Sequence, residues 1–299
     1  MSASANASGA GGDRVWTVLE LLRWTTDHFA SKGLDTPRLD AELLLAHALG
    51  LRRLDLYIRY EEPVSAEVRA RYRELIGQRA SERMPVSLLM GQKEFWSLNL
   101  KVNGDVLTPR PDTETLVEAA LARLPDAERD YEILDLGTGS GAIALALARE
   151  KPRARVTATD LSPRALAVAM ENAERLGLSD AVNFLEGSLF EPVEGRRFDL
   201  IASNPPYLAR GQAAGLAPEL AHEPDEALFG GDDGYAVLRP LAEGALARLA
   251  PEGWLLLELD PSQAETVAGW LEAGGLVEPE ILRDLAGRPR VVAARCPGS

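Results

Sequence analysis

The chain has 299 residues, and 46 Asp+Glu against 32 Lys+Arg leave it at −14, with no basic run of the kind that grips a phosphate backbone. Its single cysteine, Cys296, and three scattered histidines exclude a disulfide framework and weigh against a metal site, so no metal and a reducing, cytoplasmic setting are expected. No apolar run approaches the roughly 20 residues of a membrane helix, and no membrane association is expected.

Residues 1–12, MSASANASGAGG, lack the blocks of a signal peptide and read as a disordered tail. Residues 13–91 carry a helical period. The first helix, within VWTVLELLRWTTDHFASKG, is expected to end at a Gly33 cap. The second opens with Thr36 as N-cap and Pro37 at the first helical position, and closes at Gly50. A third starts at Ser65, with an arginine- and glutamate-rich face that reads as solvated surface. The period then changes. Across residues 92–108, FWSLNLKVNGDVLT alternates around Asn103-Gly104 and predicts a β-hairpin linker turning there. Residues 109–299 alternate strands and helices, which predicts a mostly parallel sheet covered on both faces. Expected strands are YEILDLG, RVTATD, VNFLEG, FDLIASN, GWLLLELD and RVVAAR, with a helix over 165–177.

YEILDLGTGSGAIALALA sets a glycine-rich turn between a strand and a helix. Gly137, Gly139 and Gly141, with Thr138 and Ser140 between them, let backbone approach a ligand where a side chain would clash. About 20 residues on, Asp160 ends the next strand, where an acid can accept both hydroxyls of a ribose. The spacing differs from the G-x-G-x-x-G fingerprint that cradles a pyrophosphate. It suits a nucleoside ligand without phosphates, such as S-adenosylmethionine. A tight turn with no ligand, and a plain capping aspartate before Ser162-Pro163, are the bland alternatives.

In IASNPPYLA, an apolar strand ends at Ser203 and Asn204-Pro205-Pro206-Tyr207 follows at the edge where ligands bind in open α/β sheets. Two prolines stiffen the loop and remove backbone donors. The Asn204 amide oxygen and the Pro205 carbonyl are left as fixed acceptors, and Tyr207 offers an aromatic face. Two acceptors can hold both hydrogens of a planar NH₂ while its nitrogen faces an electrophilic methyl. An amide nitrogen is a poor nucleophile because its lone pair is delocalised, so a prearranged dry site matters more than a strong base. Asn-Pro alone would read as a strand-ending turn; the four-residue string, in a chain that also has the glycine loop, points to amide or amino methylation.

This string resembles motif IV of amino and amide methyltransferases. RASERMPVSLLMGQKEFWSLNLKVNGDVLTPRPDTETLVE, DLGTGSGAIALALA, NPPYL, EPDEALFGGDDG and DLAGRPRVV resemble the HemK/PrmC family over nearly the whole chain. The resemblance implies an α/β fold class: a Rossmann-like methyltransferase domain with a mostly parallel seven-stranded sheet, and a small N-terminal helical bundle joined to it by a β-hairpin. It implies methyl transfer from S-adenosylmethionine, leaving S-adenosylhomocysteine, to the glutamine of the Gly-Gly-Gln loop of class 1 peptide chain release factors. By it, Gly137 to Gly141 and Asp160 hold the cofactor, Leu189 lies beside the adenine where some relatives carry an aromatic residue, and Asn204 lies near both ligands. Asn204, Pro205, Pro206 and Tyr207 hold the glutamine amide. Thr108 to Pro111 wall the methionine end, and residues 13–91 recognise the protein substrate. Leu259-Asp260 and MPVSLLMG depart from the family pattern. A monomer is expected.

Three other readings compete: a ribosomal-protein glutamine methyltransferase, differing mainly in its N-terminal part; an adenine-N6 DNA methyltransferase stacking a flipped base on Tyr207; and a non-enzymatic cofactor-binding adaptor. The acidic balance disfavours the second, and the intact glycine and Asn-Pro-Pro-Tyr loops disfavour the third.

Overall fold

The computed structural model describes residues 15–298. The expected tail over 1–12 lies outside the described residues. The chain divides between Met90 and Gly91 into two compact units.

The first unit is helical: α1 (Val18–Ser31), α2 (Pro37–Leu49), α3 (Asp55–Ile58), α4 (Ala66–Ser81) and α5 (Val86–Met90). Thr17 and Glu20 form a reciprocal capping box at the start of α1. Past its end, Gly33 sits at φ +67°, and Gly50 closes α2 in the same left-handed region. Thr36 precedes α2 as expected, but its hydroxyl does not cap the backbone. It donates to Asp40 Oδ1 at 2.7 Å instead. Asp40 in turn takes Arg79 Nε of α4 at 2.7 Å, both side chains being buried. The arginine-rich face of α4 is therefore not all solvated: Arg79 ties α4 to α2 from inside the bundle. Phe29, Leu44, Leu45, Leu56 and Tyr72 fill the core around that pair.

The second unit begins with a hairpin, β1 (Gln92–Phe95) and β2 (Leu98–Lys101). Its turn is Trp96-Ser97, both at positive φ (49° and 57°), and not Asn103-Gly104. Gly104 does not adopt the positive φ a two-residue hairpin turn needs, and Asn103 Oδ1 instead accepts the Asp105 N–H in a local side-chain turn. Beyond it, Pro109 and Pro111 could not continue a ladder. Trp96 is pinned at both ends, its backbone N–H to Glu114 and its indole N–H to Glu150.

The sheet comprises β3 (Glu132–Leu136), β4 (Arg155–Asp160), β5 (Val182–Glu186), β6 (Phe198–Ser203), β7 (Leu249–Glu258), β8 (Val277–Arg283) and β9 (Pro289–Arg295), in spatial order β5-β4-β3-β6-β7-β9-β8. The first five run parallel, and β9 is antiparallel to both neighbours. Alternate residues point to opposite faces. Ile133, Leu200, Ala202 and Leu256 pack in one core with α6 (Glu114–Ala122) and α7 (Ala142–Glu150). Leu134, Leu136, Ile201, Leu255 and Leu257 pack in the other, with α10 (Leu238–Gly244) and α11 (Ala264–Ala273). The helix expected over 165–177 is α8 (Pro163–Leu176), closed by Gly177 at φ +69°; the remaining helix is a single turn, α9 (Asp225–Leu228). The strand the expected six omit is β8, VEPEILR, a largely exposed edge strand with Pro279 in it, so it carries no apolar alternation. Among the described residues no helix is long and apolar enough to cross a membrane.

Candidate active site at the carboxyl edge of the sheet

Because β3, β4, β5 and β6 are parallel neighbours, their carboxyl ends share one edge. The glycine loop, Asp160, Leu189 and the Asn-Pro-Pro-Tyr string all lie on the ends or exits of those strands, whereas Thr108 to Pro111 lie before β3, on the segment that leads into α6. Gly137 to Gly141 follow β3, Asp160 ends β4, Leu189 follows β5, and Asn204 to Tyr207 follow β6.

The glycine loop turns on three positive-φ glycines at 70°, 55° and 83°. A Cβ at Gly137 or Gly139 would meet no heavy atom within 4 Å, so these two face open space. At Gly141 a Cβ would sit 3.0 Å from Leu145 and 3.3 Å from Ala169, so that glycine serves close packing of α7 and α8. Asp160 spans the loop: Oδ2 accepts the Gly139 N–H at 2.8 Å and Oδ1 the Ser162 N–H at 2.9 Å. Burial holds its carboxyl above the usual range, against those N–H bonds. Beneath the loop lies Asp135, fully buried, whose Oδ2 accepts from Thr138 Oγ1 (2.6 Å) and the Ala144 N–H (3.1 Å). Burial pushes this carboxyl up to about 7, and Oδ1 has no hydrogen-bond partner among the described residues. Asn172, buried on α8, clasps the loop to the hairpin by donating to the Ser140 and Lys101 carbonyls. Leu189 adopts φ +49°, unusual for a bulky side chain, and packs on the core.

The Asn-Pro-Pro-Tyr loop is braced from several sides. The Ser203 hydroxyl donates to the Leu136 carbonyl at 2.7 Å, fixing the exit of β6 against β3. Asn204 Nδ2 donates to Thr113 Oγ1 at 3.2 Å. Gln263 Nε2 donates to both the Tyr207 and Gly234 carbonyls at 3.1 Å. The segment around Gly230 runs alongside, Leu208 pairing with Phe229. A Cβ at Gly230 would meet the Pro206 carbonyl at 2.5 Å, and one at Gly234 the Tyr207 carbonyl at 2.5 Å, so both must be glycine for the strap to lie this close. Burial, then the nearby charge of Glu258, pushes the Tyr207 phenol up to about 12. The Tyr207 phenol is thus neutral, and no base, at neutral pH.

Several of these residues escaped the sequence reading. TPRPDTE is a knot: Arg110 pairs with Glu223, Asp112 with Arg288 and Arg290, and Thr113 with Asn204. Glu258 is 1% exposed at the end of β7, and the signal for it was an acid inside the apolar run LLLELD. Leu259 is buried and Asp260 caps the turn Pro261–Gln263 that presents Gln263, which gives the Leu259-Asp260 pair a structural role. Among the described residues no group of three or more His, Cys, Asp or Glu could hold a metal ion.

The PrmC N-terminal domain family matches residues 20–91, and the methyltransferase small domain family matches residues 112–238. The chain is 44% identical to the release factor glutamine methyltransferase of Geobacter sulfurreducens, over 94% of this chain and 97% of that one. It is 45% identical to that of Deinococcus radiodurans, over 93% and 98%. The chain belongs to the release factor glutamine methyltransferase family. Among solved structures, the Thermus thermophilus 16S rRNA N2 G1207 methyltransferase RsmC shares the fold, with a TM-score of 0.51 and 24% identity over 69% of this chain and 49% of that one. The family places the chain among enzymes that methylate a glutamine.

Proposed function

We propose that this chain transfers a methyl group from S-adenosylmethionine to the side-chain amide nitrogen of a release-factor glutamine, in its Gly-Gly-Gln loop. The observation that carries the reading is the Asn-Pro-Pro-Tyr loop. It is held rigid at the sheet edge with Asn204 Nδ2 engaged by Thr113, while neither Asn204 Oδ1 nor the Pro205 carbonyl is hydrogen-bonded among the described residues. Two acceptors fixed in this way suit the two hydrogens of a primary amide.

The glycine loop fits the cofactor. Gly137 and Gly139 leave space beside them, and each Asp160 oxygen keeps a lone pair for a ribose hydroxyl beyond its N–H bond. The unpartnered, buried Asp135 oxygen suits a cationic ligand, whose charge would favour the ionised carboxyl. When bound, S-adenosylmethionine supplies an electrophilic methyl on a positively charged sulfur. The chain's own contribution is orientation. Asn204 and Pro205 hold the amide hydrogens so that the nitrogen lone pair is presented, and Tyr207 and Pro206 wall the amide plane from water. The proton on nitrogen can leave after transfer, so no strong base is needed.

The match of residues 20–91 to the PrmC N-terminal domain supports a release factor over a ribosomal protein as substrate, and substrate recognition is assigned to residues 13–91. The net charge of −14 counts against DNA. Mass spectrometry of a release factor incubated with the protein and isotopically labelled cofactor tests the reading. A labelled methyl on the glutamine amide is expected; label that stays in the cofactor would reject it.

A further inference from the structure

Two stretches of chain far apart in sequence close on the Asn-Pro-Pro-Tyr loop. From one, the Thr113 hydroxyl accepts from Asn204 Nδ2 at 3.2 Å. From the other, the strap pairs with the exit of the loop. The Leu208 N–H donates to the Leu228 carbonyl at 3.0 Å, and the Gly230 N–H donates to the Leu208 carbonyl at 2.9 Å. The two stretches meet at Glu223, which is 6% exposed. Its Oε1 accepts the Thr108 N–H at 3.3 Å, and its Oε2 accepts from the guanidinium of Arg110, 113 positions away. A carboxylate this buried needs a cation and a hydrogen bond to offset its lost hydration, and one short segment supplies both.

The pieces between these contacts are short and stiff. Pro111–Thr113 is a single 3-10 turn in which the Thr113 N–H donates to the Arg110 carbonyl at 3.1 Å, so Arg110 and Thr113 move together. Only Pro224 and α9 separate Glu223 from Phe229, whose N–H donates to the Asp225 carbonyl at 2.9 Å, so Glu223 and Leu228 move together too. The contacts therefore form a ring. It runs from Asn204 to Thr113, along the turn to Arg110, and across to Glu223. From there it follows α9 to Leu228, crosses to Leu208, and returns through Tyr207 and the two prolines to Asn204. A closed ring holds each member from two directions, whereas one cut leaves an open chain whose slack reaches the reacting atoms. We propose that Glu223 is a positioning residue that closes this ring and so fixes the Asn204 oxygen and the Pro205 carbonyl for the target amide. Its carboxyl is turned to Thr108 and Arg110, and it acts through the loop. Arg164 also joins the two stretches, reaching Asp105 at 3.2 Å and Glu226 at 3.9 Å, but its side chain is 70% exposed and such a pair contributes little. Asp112, paired with Arg288 and Arg290, still anchors the Pro111–Thr113 turn when Glu223 is replaced, so the variants should fold. The EPDEALFGGDDG segment thereby gains a task at both ends. Glu223 bolts its start to Thr108 and Arg110, while Gly230 and Gly234 lie against the Pro206 and Tyr207 carbonyls.

The inference rests on the reading that Asn204 and Pro205 hold the target amide, and the experiment separates the two. Single-turnover methyl transfer, KM for the release factor, cofactor affinity by calorimetry, thermal melting and amide hydrogen exchange at Leu208 are compared, at a temperature well below every melting point. The variants are Asn204→Ala, Glu223→Gln, Glu223→Ala, Thr113→Val and the Glu223→Gln/Thr113→Val pair. Glu223→Gln keeps the shape and an acceptor for the Thr108 N–H but loses the charge that holds Arg110; it should slow transfer roughly tenfold. Glu223→Ala removes both contacts and should slow it toward roughly 100-fold, the scale of a misplaced reacting group. In both, the Leu208 amide should exchange roughly fivefold faster or more, because its acceptor lies on the loosened strap. Cofactor affinity and the release-factor KM should stay within about twofold of the parent, since the loss falls on the reacting geometry. Thr113→Val cuts the same ring elsewhere, so the double variant should be slower than the slower single by no more than about twofold. The proposal is overturned if Glu223→Ala transfers at the parental rate while Asn204→Ala is impaired. It is also overturned if transfer falls with no faster exchange at Leu208, if cofactor affinity falls as far as transfer, or if the two losses multiply in the double variant. Should Asn204→Ala itself transfer normally, it is the functional reading that fails, and the ring stands or falls on the exchange at Leu208.

Discussion

The glycine loop and the Asn-Pro-Pro-Tyr loop leave adjacent strands, β3 and β6, yet they are shaped by opposite means. The turn of the glycine loop is written in its own residues, with Asp160 and Asn172 bracing it from outside. Its three glycines take positive φ, Thr138 bonds back to Asp135 three residues earlier, and the Gly141 N–H closes on the Thr138 carbonyl at 2.8 Å. The prolines stiffen the second loop, but its aim is set from afar, by Thr113 and Gln263, 91 and 56 positions away in sequence. A motif can therefore declare its local shape while leaving silent the contacts that orient its reacting atoms.

That contrast is broken most severely at Asn204. Asn204→Ala deletes one prearranged acceptor and should lower turnover roughly 10²- to 10³-fold, while cofactor affinity stays near parental because the glycine loop and Asp160 are untouched. Single-turnover kinetics alongside calorimetry checks both halves. Asp160→Asn is the mirror experiment. It keeps an oxygen for a loop N–H but loses the charge, and should weaken cofactor binding by the worth of one charge-assisted bond, about 1.5–3 kcal/mol. Once saturated with cofactor, this variant should turn over at close to the parental rate. A turnover defect that saturation leaves in place would mean that the two loops are not separable.

Glycine substitutions sharpen the comparison further. Gly139 faces open space, so Gly139→Ala bears only the strain of φ +55°, on the order of 1–2 kcal/mol. Gly234→Ala has similar strain at φ +82° and in addition drives a methyl into the Tyr207 carbonyl, 2.5 Å away, and the Gln263 amide at 2.9 Å. Gly234→Ala should melt lower and lose turnover, whereas Gly139→Ala should melt nearer the parent and lose cofactor affinity. Equal melting shifts would remove the distinction between a loop facing a ligand and a strap packed on backbone.

Legibility in the sequence follows the same division. The alternation of YEILDLG, RVTATD and FDLIASN placed three neighbouring strands and their carboxyl edge, because buried parallel strands announce themselves by apolar content. Gly50 and Gly177 declared helix ends because a left-handed cap favours glycine. Asn103-Gly104 misled, since the signal for a turn says nothing about whether a partner strand follows; the true turn uses Trp96-Ser97, held by Glu114 and Glu150 from elsewhere in the fold. Edge strand β8 was silent for want of a buried face. Thr113, Gln263 and Gly234 were invisible as site residues because each acts through a partner far along the chain.

The smallest expected effect concerns the two buried carboxyls behind these loops, Asp135 under the glycine loop and Glu258 behind Thr113. Burial pushes each up to about 7, from roughly 4 in an unfolded chain. Between pH 4 and 7 the unfolded chain has released protons that the folded one retains, so unfolding releases protons and stability falls as pH rises through that window. Below pH 4 both states are protonated and the stabilising difference is whole; above 7 both are ionised and it has gone. Each carboxyl can contribute a slope of at most about 1.4 kcal/mol per pH unit. Glu258→Gln removes one slope and Asp135→Asn the other, so melting temperature plotted against pH should decline less steeply for either variant than for the parent between pH 5 and 7. The two loops should then part company when S-adenosylmethionine is added. Its positive charge near Asp135 favours the ionised carboxyl, so saturating cofactor should flatten the Asp135 contribution and leave that of Glu258 more nearly intact. Cofactor that flattens the slope fully in Asp135→Asn but leaves it in Glu258→Gln would place the bound cation beside Glu258 instead, and the glycine loop would lose its claim to the ligand.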